Sequence, residues 1–279
     1  MQDNDHGRVG GRPFKVGLLL IILVPLLGYG VYVGATVYGR TRPLPQQVPG
    51  TTALTYEEVA IDSCDNTVLA GWYGAGRNGA GIILLHDEGE TRSEVVEEAA
   101  VLAEAGYSVL LFDRRGHGES GRVLRAGGWD DLGDVYNAWD WLAARPEVEE
   151  ERIGVYGSGV GGQIALRAAA FSRRIYAVAA KDPAVAASGD QPEKWSEWLI
   201  FRGMSWRTGI PEPFAVVDVI QDIAPRPVLL LVAGEGESAV AERFYAQARE
   251  PKGLQTGGEG SNLVPFFDRA LLGEGVAQQ

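Results

Sequence analysis

The chain begins with a long apolar segment and continues with short apolar runs that alternate with amphipathic stretches. Residues 16–38 carry no charge, and at ~1.5 Å per residue a helix of this length crosses a ~30 Å bilayer core. After residue 56, uninterrupted apolar runs predict buried strands, and a period near 3.6 predicts helices. The strands are predicted in 56–73 (two, around a turn at Asp65 and Asn66), 81–86, 107–113, 152–157, 175–182 and 226–234, and the helices in 91–106, 129–145, 161–171, 239–248 and 262–273.

This alternation predicts an α/β fold with a doubly wound, mostly parallel sheet, because uniformly apolar strands need helices on both faces. Residues 185–214 break the alternation and contain Trp195, Trp198 and Trp206. We expect this region to be a short cap over a pocket or an element close to a membrane. The alternative is that its tryptophans fill the core.

The N-terminal region predicts a single-pass membrane anchor that uses the lipid bilayer as its partner. Residues 1–15 form a short basic tail, 16–38 the anchor, 39–55 a proline-rich, extended linker, and 56–279 the folded domain. A buried core helix would be shorter and less uniformly apolar, and a cleaved signal peptide would have a shorter apolar region.

Charges and aromatic residues flank the apolar run on both sides. Three basic residues precede it and two follow it, and the tyrosines lie toward its second end (Arg8, Arg12, Lys15; Arg40, Arg42; Tyr29, Tyr32, Tyr38). The excess on the N-terminal side predicts a cytoplasmic N-terminus and an extracytoplasmic domain.

Composition narrows the classes of partner. The net charge of -12 excludes nucleic acid as an expected ligand, and the positive charge concentrated near the N-terminus fits a membrane-facing end. Cys64 is the sole cysteine, so no disulfide forms within the chain. The three histidines, His6, His86 and His117, are far apart in sequence, and we expect neither a metal site nor a cofactor.

Four segments follow one another along the chain: LLHDEG (84–89), FDRRGHGES (112–120), RIGVYGSGVGG (152–162) and IAPRPVLLLVAGEGE (223–237). Together they resemble the α/β-hydrolase fold, in particular the membrane-anchored and acylaminopeptidase-like serine hydrolases, over residues 56–275. The resemblance implies a nucleophile elbow of the form G-x-S-x-G-G, in which a sharp strand-to-helix turn exposes a serine.

The elbow of this chain departs from that pattern at its apex. With Gly157 as the first glycine and Gly161 as the next, Ser158 falls on the variable position and Gly159 on the nucleophile position. A register shifted by one residue would place Tyr156 and Val160 where glycines belong. Glycine has no side chain with which to attack a carbonyl carbon.

The other two triad positions also depart from the family. The acid position holds Glu237, with Glu235 as a second candidate, and glutamate can orient a histidine. The position of the histidine holds Gly260, and no histidine follows His117 in the chain. A serine hydroxyl needs such a base within hydrogen-bond reach, so the sequence lacks a triad.

The resemblance places one oxyanion-hole N–H in the loop after residue 85 and the other at Val160. That loop reads His86-Asp87-Glu88-Gly89-Glu90, and its carboxylates would oppose a developing negative charge. His86 and His117 match structural positions of the family. Asp182 either lines the pocket mouth or caps a turn.

Three hypotheses follow. The first is a membrane-held, catalytically silent α/β-hydrolase homologue that binds a small molecule or a protein at its vestigial pocket or cap. The second is an active hydrolase of small esters or amides, with Ser158 as nucleophile and His86 or His117 as base. The third is a domain that only packs against a membrane partner.

Overall fold

The structure, a computed structural model, describes residues 12–191, 193, 195–234, 238–257 and 262–273, with the backbone alone at 12–20 and 195. Within these ranges one eight-stranded sheet has the order β8-β7-β6-β5-β3-β4-β2-β1. β2 runs opposite to the other seven strands, so its pairings with β1 and β4 are antiparallel and the other pairings are parallel. The strands are β1 (Glu57–Asp62), β2 (Val68–Gly74), β3 (Gly79–Leu85), β4 (Ser108–Phe112), β5 (Val148–Ser158), β6 (Ala177–Lys181), β7 (Val228–Val232) and β8 (Lys252–Thr256).

Helices cover both faces of the sheet, which confirms the predicted doubly wound α/β fold. Along β3, Ile83 and Leu85 join the core under α3 and α4, whereas Ile82 and Leu84 join the core under α2 and α8. This division follows from the two-residue period of a strand. The helices are α1 (Arg12–Thr41), α2 (Val96–Glu104), α3 (Leu132–Ala143), α4 (Gly159–Phe171), α5 (Trp195–Thr208), α6 (Val216–Val219), α7 (Ala239–Gln247) and α8 (Leu263–Phe267).

Several elements differ from the sequence prediction, which contains neither α5, α6 nor the edge strand β8. The five residues of β8, KGLQT, give no strand signal because they contain a single large apolar side chain and are half-buried or exposed. The predicted final helix is α8 followed by one π-helical turn, Asp268–Leu272.

The apolar N-terminal segment is helical, and Ile21–Thr41 is long and apolar enough to span a membrane. The helix ends three residues later than the predicted anchor, and its last turns pack against α5. Leu44–Pro45 then pairs with His117–Gly118. The first part of the predicted linker is therefore docked on the domain rather than free.

The region 185–214 contains α5, whose buried face belongs to a small apolar cluster with the end of α1. Val37, Phe201 and Met204 are members of that cluster. Trp198 is 50% exposed and Trp206 is 89% exposed, so these two tryptophans do not fill the core.

Candidate functional site

The site lies where β5 ends and α4 begins, and its backbone forms a tight strand–turn–helix elbow. Ser158 is extended (φ −105°, ψ 140°), and Gly159 follows in the left-handed region at φ +52°. A Cβ on Gly157 would overlap the carbonyl of Gly161, so the close approach of the strand to the helix requires glycine at 157. Gly159 thus occupies the apex of the turn.

The space in front of Gly159 is filled by the side chain of Asp87. A Cβ built on Gly159 would overlap the carboxylate carbon and both carboxylate oxygens of Asp87. A nucleophile side chain at position 159 and the Asp87 carboxylate therefore cannot share this space.

The Asp87 carboxylate also accepts hydrogen bonds from Val160 and from the loop after residue 85, the two places where the resemblance predicts oxyanion-hole donors. Its Oδ1 lies 2.7 Å from the N–H nitrogen of Val160 and 2.6 Å from that of Glu88. Oxyanion-hole donors act at 2.7–3.1 Å from the charged oxygen. Because α4 begins at Gly159, the carboxylate also lies at the positive end of that helix.

Further hydrogen bonds fix the loop that carries Asp87. The Asp87 N–H donates to Oε2 of Glu94 at 3.0 Å, and His86 donates from Nδ1 to the Asp87 carbonyl at 2.7 Å. His86 Nε2 accepts from the N–H of Arg114 at 2.9 Å. Burial holds the pKa of His86 well below its usual value, so its ring is neutral and serves to shape the loop.

Glu88 contributes its N–H to the site, whereas its carboxylate turns away from it. That carboxylate pairs with Arg114 at 3.2 Å and with Arg125. Glu90 is exposed. Of the three carboxylates expected to crowd the oxyanion region, Asp87 is the one seated there, because arginines from the loop after β4 draw Glu88 away.

Ser158 points to the face of the sheet that α2 covers. It is 8% exposed, and its hydroxyl is bonded to Glu94. Burial raises the pKa of Glu94, and the hydrogen bond from Ser158 opposes that rise. A hydroxyl held by a carboxylate beneath a helix is poorly placed to attack a substrate at the apex.

Neighbours of Ser158 extend this buried polar group. Tyr156 lies two residues earlier on the same face, and its hydroxyl donates to Oε1 of Glu98 at 3.0 Å. Lys181, the register partner of Ser158, donates to the same oxygen at 3.1 Å. Sequence reasoning missed this group. The two-residue spacing of Tyr156 and Ser158 was the available signal, but the carboxylate partners come from a distant helix.

His117 belongs to a buried network of hydrogen bonds and ion pairs, and its contacts do not suit it to act as a base. Its Nδ1 donates to the Arg115 carbonyl at 3.1 Å, and its Nε2 lies 3.5 Å from Arg125 Nη1 and 3.5 Å from Glu88 Oε2. Burial, with Arg114 adding to the effect, lowers the pKa of His117 to about 4. The imidazole is therefore neutral at neutral pH.

The remaining predicted positions lie at the ends of β6 and β7 or beyond. Asp182, which directly follows β6, is exposed, has φ +44°, and accepts the N–H of Ala233, which directly follows β7, at 3.2 Å, so its carboxylate links the ends of the two strands. Glu235, Glu237 and Gly260 lie outside the described residues.

A cavity of about 500 Å³ lies away from the elbow, beside α8 and near the amino-terminal ends of β7 and β8. Its lining includes Val228, Gly253, Phe266 and Arg269. In a parallel sheet the elbow marks the carboxyl ends of the strands, so this cavity and the elbow belong to different ends of the sheet.

Proteins of known name share sequence with much of this chain. The uncharacterized protein Rv2307c of Mycobacterium tuberculosis is 27% identical over 249 residues, which cover 84% of each chain. The thiohydrolase aneE of Aspergillus aculeatus is 31% identical over 138 residues, 48% of this chain and 43% of its own length.

Solved structures agree on the architecture. The Pyrococcus furiosus esterase Pf2001 superposes with a TM-score of 0.65 at 22% identity, over 82% of this chain and 98% of the esterase. At this identity the likeness establishes the fold. The profile of the prolyl oligopeptidase family matches residues 93–249, more than half of the chain, and these residues contain the elbow. This protein therefore belongs to the prolyl oligopeptidase family, within the α/β-hydrolase superfamily.

Proposed function

We propose that this protein is a membrane-anchored family member that does not hydrolyse esters or amides and acts by binding a ligand or a protein. The observation that carries the proposal is the Asp87 carboxylate, which fills the space before Gly159 and accepts the N–H groups of Val160 and Glu88.

A hydrolase of this family needs that space and those donors for its substrate. The scissile carbonyl must approach the nucleophile, and its oxygen must receive the oxyanion hydrogen bonds as charge develops. Here an internal carboxylate already supplies the negative oxygen. A substrate oxyanion in the same place would have to displace Asp87 against like charge.

Membrane attachment is supported by α1. Ile21–Thr41 has a mean hydropathy of 1.8, and only 6% of its most apolar window is buried against the rest of the chain. An apolar helix that the protein leaves uncovered is stabilised by lipid. The basic residues on its N-terminal side support an extracytoplasmic domain.

Activity-based labelling tests the loss of hydrolysis. The full-length protein in detergent is incubated with a fluorophosphonate probe and, separately, with a p-nitrophenyl ester, beside the Ser158→Ala variant and an active serine esterase. We expect no label and no turnover above buffer with either form of this protein, because Gly159 offers no nucleophile and Ser158 is buried.

The alternative function predicts a different result. Stoichiometric labelling of Ser158, with turnover that Ser158→Ala abolishes, would establish an active hydrolase with a rearranged site. Labelling that survives in Ser158→Ala would also contradict the proposal, since another residue would then be the nucleophile.

Cys64 reports the orientation of the domain, because it is exposed and is the sole cysteine of the chain. A membrane-impermeant maleimide added to intact cells is expected to label it. Labelling only after the cells are opened would place the domain in the cytoplasm.

A further inference from the structure

The face of α5 that points away from the protein carries a stripe of large side chains. Trp198, Arg202 and Trp206 are spaced four residues apart, so they lie one above another on a single helix face. Trp198 is 50% exposed, Trp206 is 89% exposed, and Arg202 is exposed as well. Two exposed tryptophans on one helix face indicate a surface that something covers.

The opposite face of α5 binds the end of α1. Gly203 permits the close approach, because a Cβ there would lie 2.7 Å from Val37 Cγ2. Arg207 donates from Nε to the Thr41 hydroxyl at 2.7 Å, and its guanidinium lies 5.0 Å from the centre of the Tyr38 ring.

Both ends of the stripe are tied to the end of α1. Arg40 pairs with Glu197 at 3.0 Å, and Thr41 contacts Arg207. Glu197 precedes Trp198 and Arg207 follows Trp206, so both tryptophans lie close to the last turns of α1.

The level of α5 follows from where the apolar run of α1 ends. The apolar segment gives way to charge at Arg40, in the same turns of α1 that α5 contacts. Charged residues that follow an apolar span lie in the headgroup layer, where tryptophan rings also partition because they have an apolar body and a polar N–H.

We propose that the α5 stripe, Trp198, Arg202 and Trp206, seats in the headgroup layer of the bilayer that α1 spans. The two tryptophans enter the interface, and the guanidinium of Arg202 contacts lipid phosphates. The inference rests on the membrane attachment proposed above. Its consequence is that α1 and α5 hold the domain in one orientation at the lipid surface, rather than on a free tether.

Depth-dependent fluorescence quenching tests this seating. Bimane is attached to Trp206→Cys in a Cys64→Ser background, and the full-length chain is reconstituted into vesicles of phosphatidylcholine and phosphatidylglycerol. The vesicles contain doxyl lipids labelled either close to the headgroup or deep in the acyl chains, and iodide serves as the aqueous quencher. Because Trp206 is 89% exposed, the cysteine is expected to leave the fold unchanged.

Two matched positions serve as references. Leu27→Cys, on the exposed surface of α1, reports insertion of the anchor, and Val101→Cys, 43% exposed on α2 across the sheet, reports the aqueous surface. We expect headgroup-labelled lipids to quench position 206 severalfold more than position 101. We expect position 27 to be quenched most by lipids labelled deep in the chains.

The outcomes separate the two proposals. Lipid quenching at 27 together with iodide quenching at 206, equal to that at 101, would overturn the seating of α5 and leave the anchor intact. The absence of lipid quenching at 27 would overturn the anchor itself. A bimane at 206 that neither iodide nor lipid reaches would show that protein covers α5, which also contradicts the inference.

Discussion

At the elbow, charged groups are buried and paired, whereas on α5 tryptophan rings face outward. The Asp87 carboxylate has two N–H donors at 2.6–2.7 Å, while Trp206 is 89% exposed. In an active hydrolase the elbow is the open, reactive place. Here a carboxylate fills the space in front of Gly159, and the exposed rings lie on α5 beside the end of α1, so under the proposed function we expect binding to use the surface rather than the elbow.

A side chain placed at the apex of the elbow is expected to have the largest effect on stability. Gly159→Ala should lower the free energy of unfolding by about 4 kcal/mol, because overpacking costs ~1–3 kcal/mol and the left-handed backbone adds ~1–2 kcal/mol. Denaturant unfolding of the full-length protein in detergent measures the loss.

Two variants separate the causes of that loss. Gly209→Ala, at φ +75° with no neighbour within 4 Å of the new Cβ, carries the backbone cost alone. Asp87→Gly also removes the carboxylate that accepts the N–H groups of Val160 and Glu88, so its own cost is measured in the single variant. Gly159→Ala should then cost less in the Asp87→Gly background than in the wild type, by the overlap part. Equal costs in the two backgrounds would mean that Asp87 does not occupy the space in front of residue 159.

The burial of His117 near the elbow predicts that the stability of the protein depends on pH. The pKa of His117 is lowered from 6.5 to about 4, so as the pH falls through this window only the unfolded chain gains the proton. The folded protein therefore loses up to about 3 kcal/mol from this residue between pH 6.5 and pH 4. The titratable and charged groups around the ring are His86, whose ring centre is 5.1 Å away, and Glu88, Asp113, Arg114, Arg125 and Asp131.

His117→Gln removes the titrating imidazole, so the difference between the two proteins gives the contribution of His117 to the pH dependence of the free energy of unfolding. Burial raises the pKa of Asp130 to about 6, which has the opposite sign: its contribution to stability falls as the pH rises between 3.8 and 6. That contribution is common to both proteins and cancels in the difference. Stability curves of the wild type and the variant that run parallel from pH 7 to pH 4 would show that folding does not lower the pKa of His117.

A smaller loss of stability is expected where α5 packs against α1. Gly203→Val should cost about 1–2 kcal/mol by overpacking, because the new side chain meets Val37. Gly133→Val, in α3, makes the same change where no atom lies within 4 Å of the new Cβ. Equal losses for the two variants, measured by thermal unfolding in vesicles, would mean that α1 and α5 are not packed together.

The sequence predicted the strands of the interior well, because each is an uninterrupted apolar run such as residues 81–86, which became β3 (Gly79–Leu85). It missed β8, which pairs along one side only and therefore needs no apolar run. A half-buried edge strand leaves a weak pattern.

At the site, the sequence identified Gly159 as the apex but not what occupies the space above it. The Asp87 carboxylate reaches Val160 across 73 residues, and such a contact has no local signature. The same holds for Glu88, whose carboxylate is drawn away by Arg114 and Arg125 from the loop after β4. The spacing of the motifs predicted which residues lie at the elbow. The direction of each side chain depends on partners that are distant in the sequence, and the spacing does not reveal these.

The overlap between residue 159 and Asp87 also bears on any attempt to build a nucleophile into this turn. A side chain introduced at position 159 meets the Asp87 carboxylate and must displace it from the N–H groups of Val160 and Glu88. A designer would therefore change residue 87 together with residue 159, because the two positions draw on the same space.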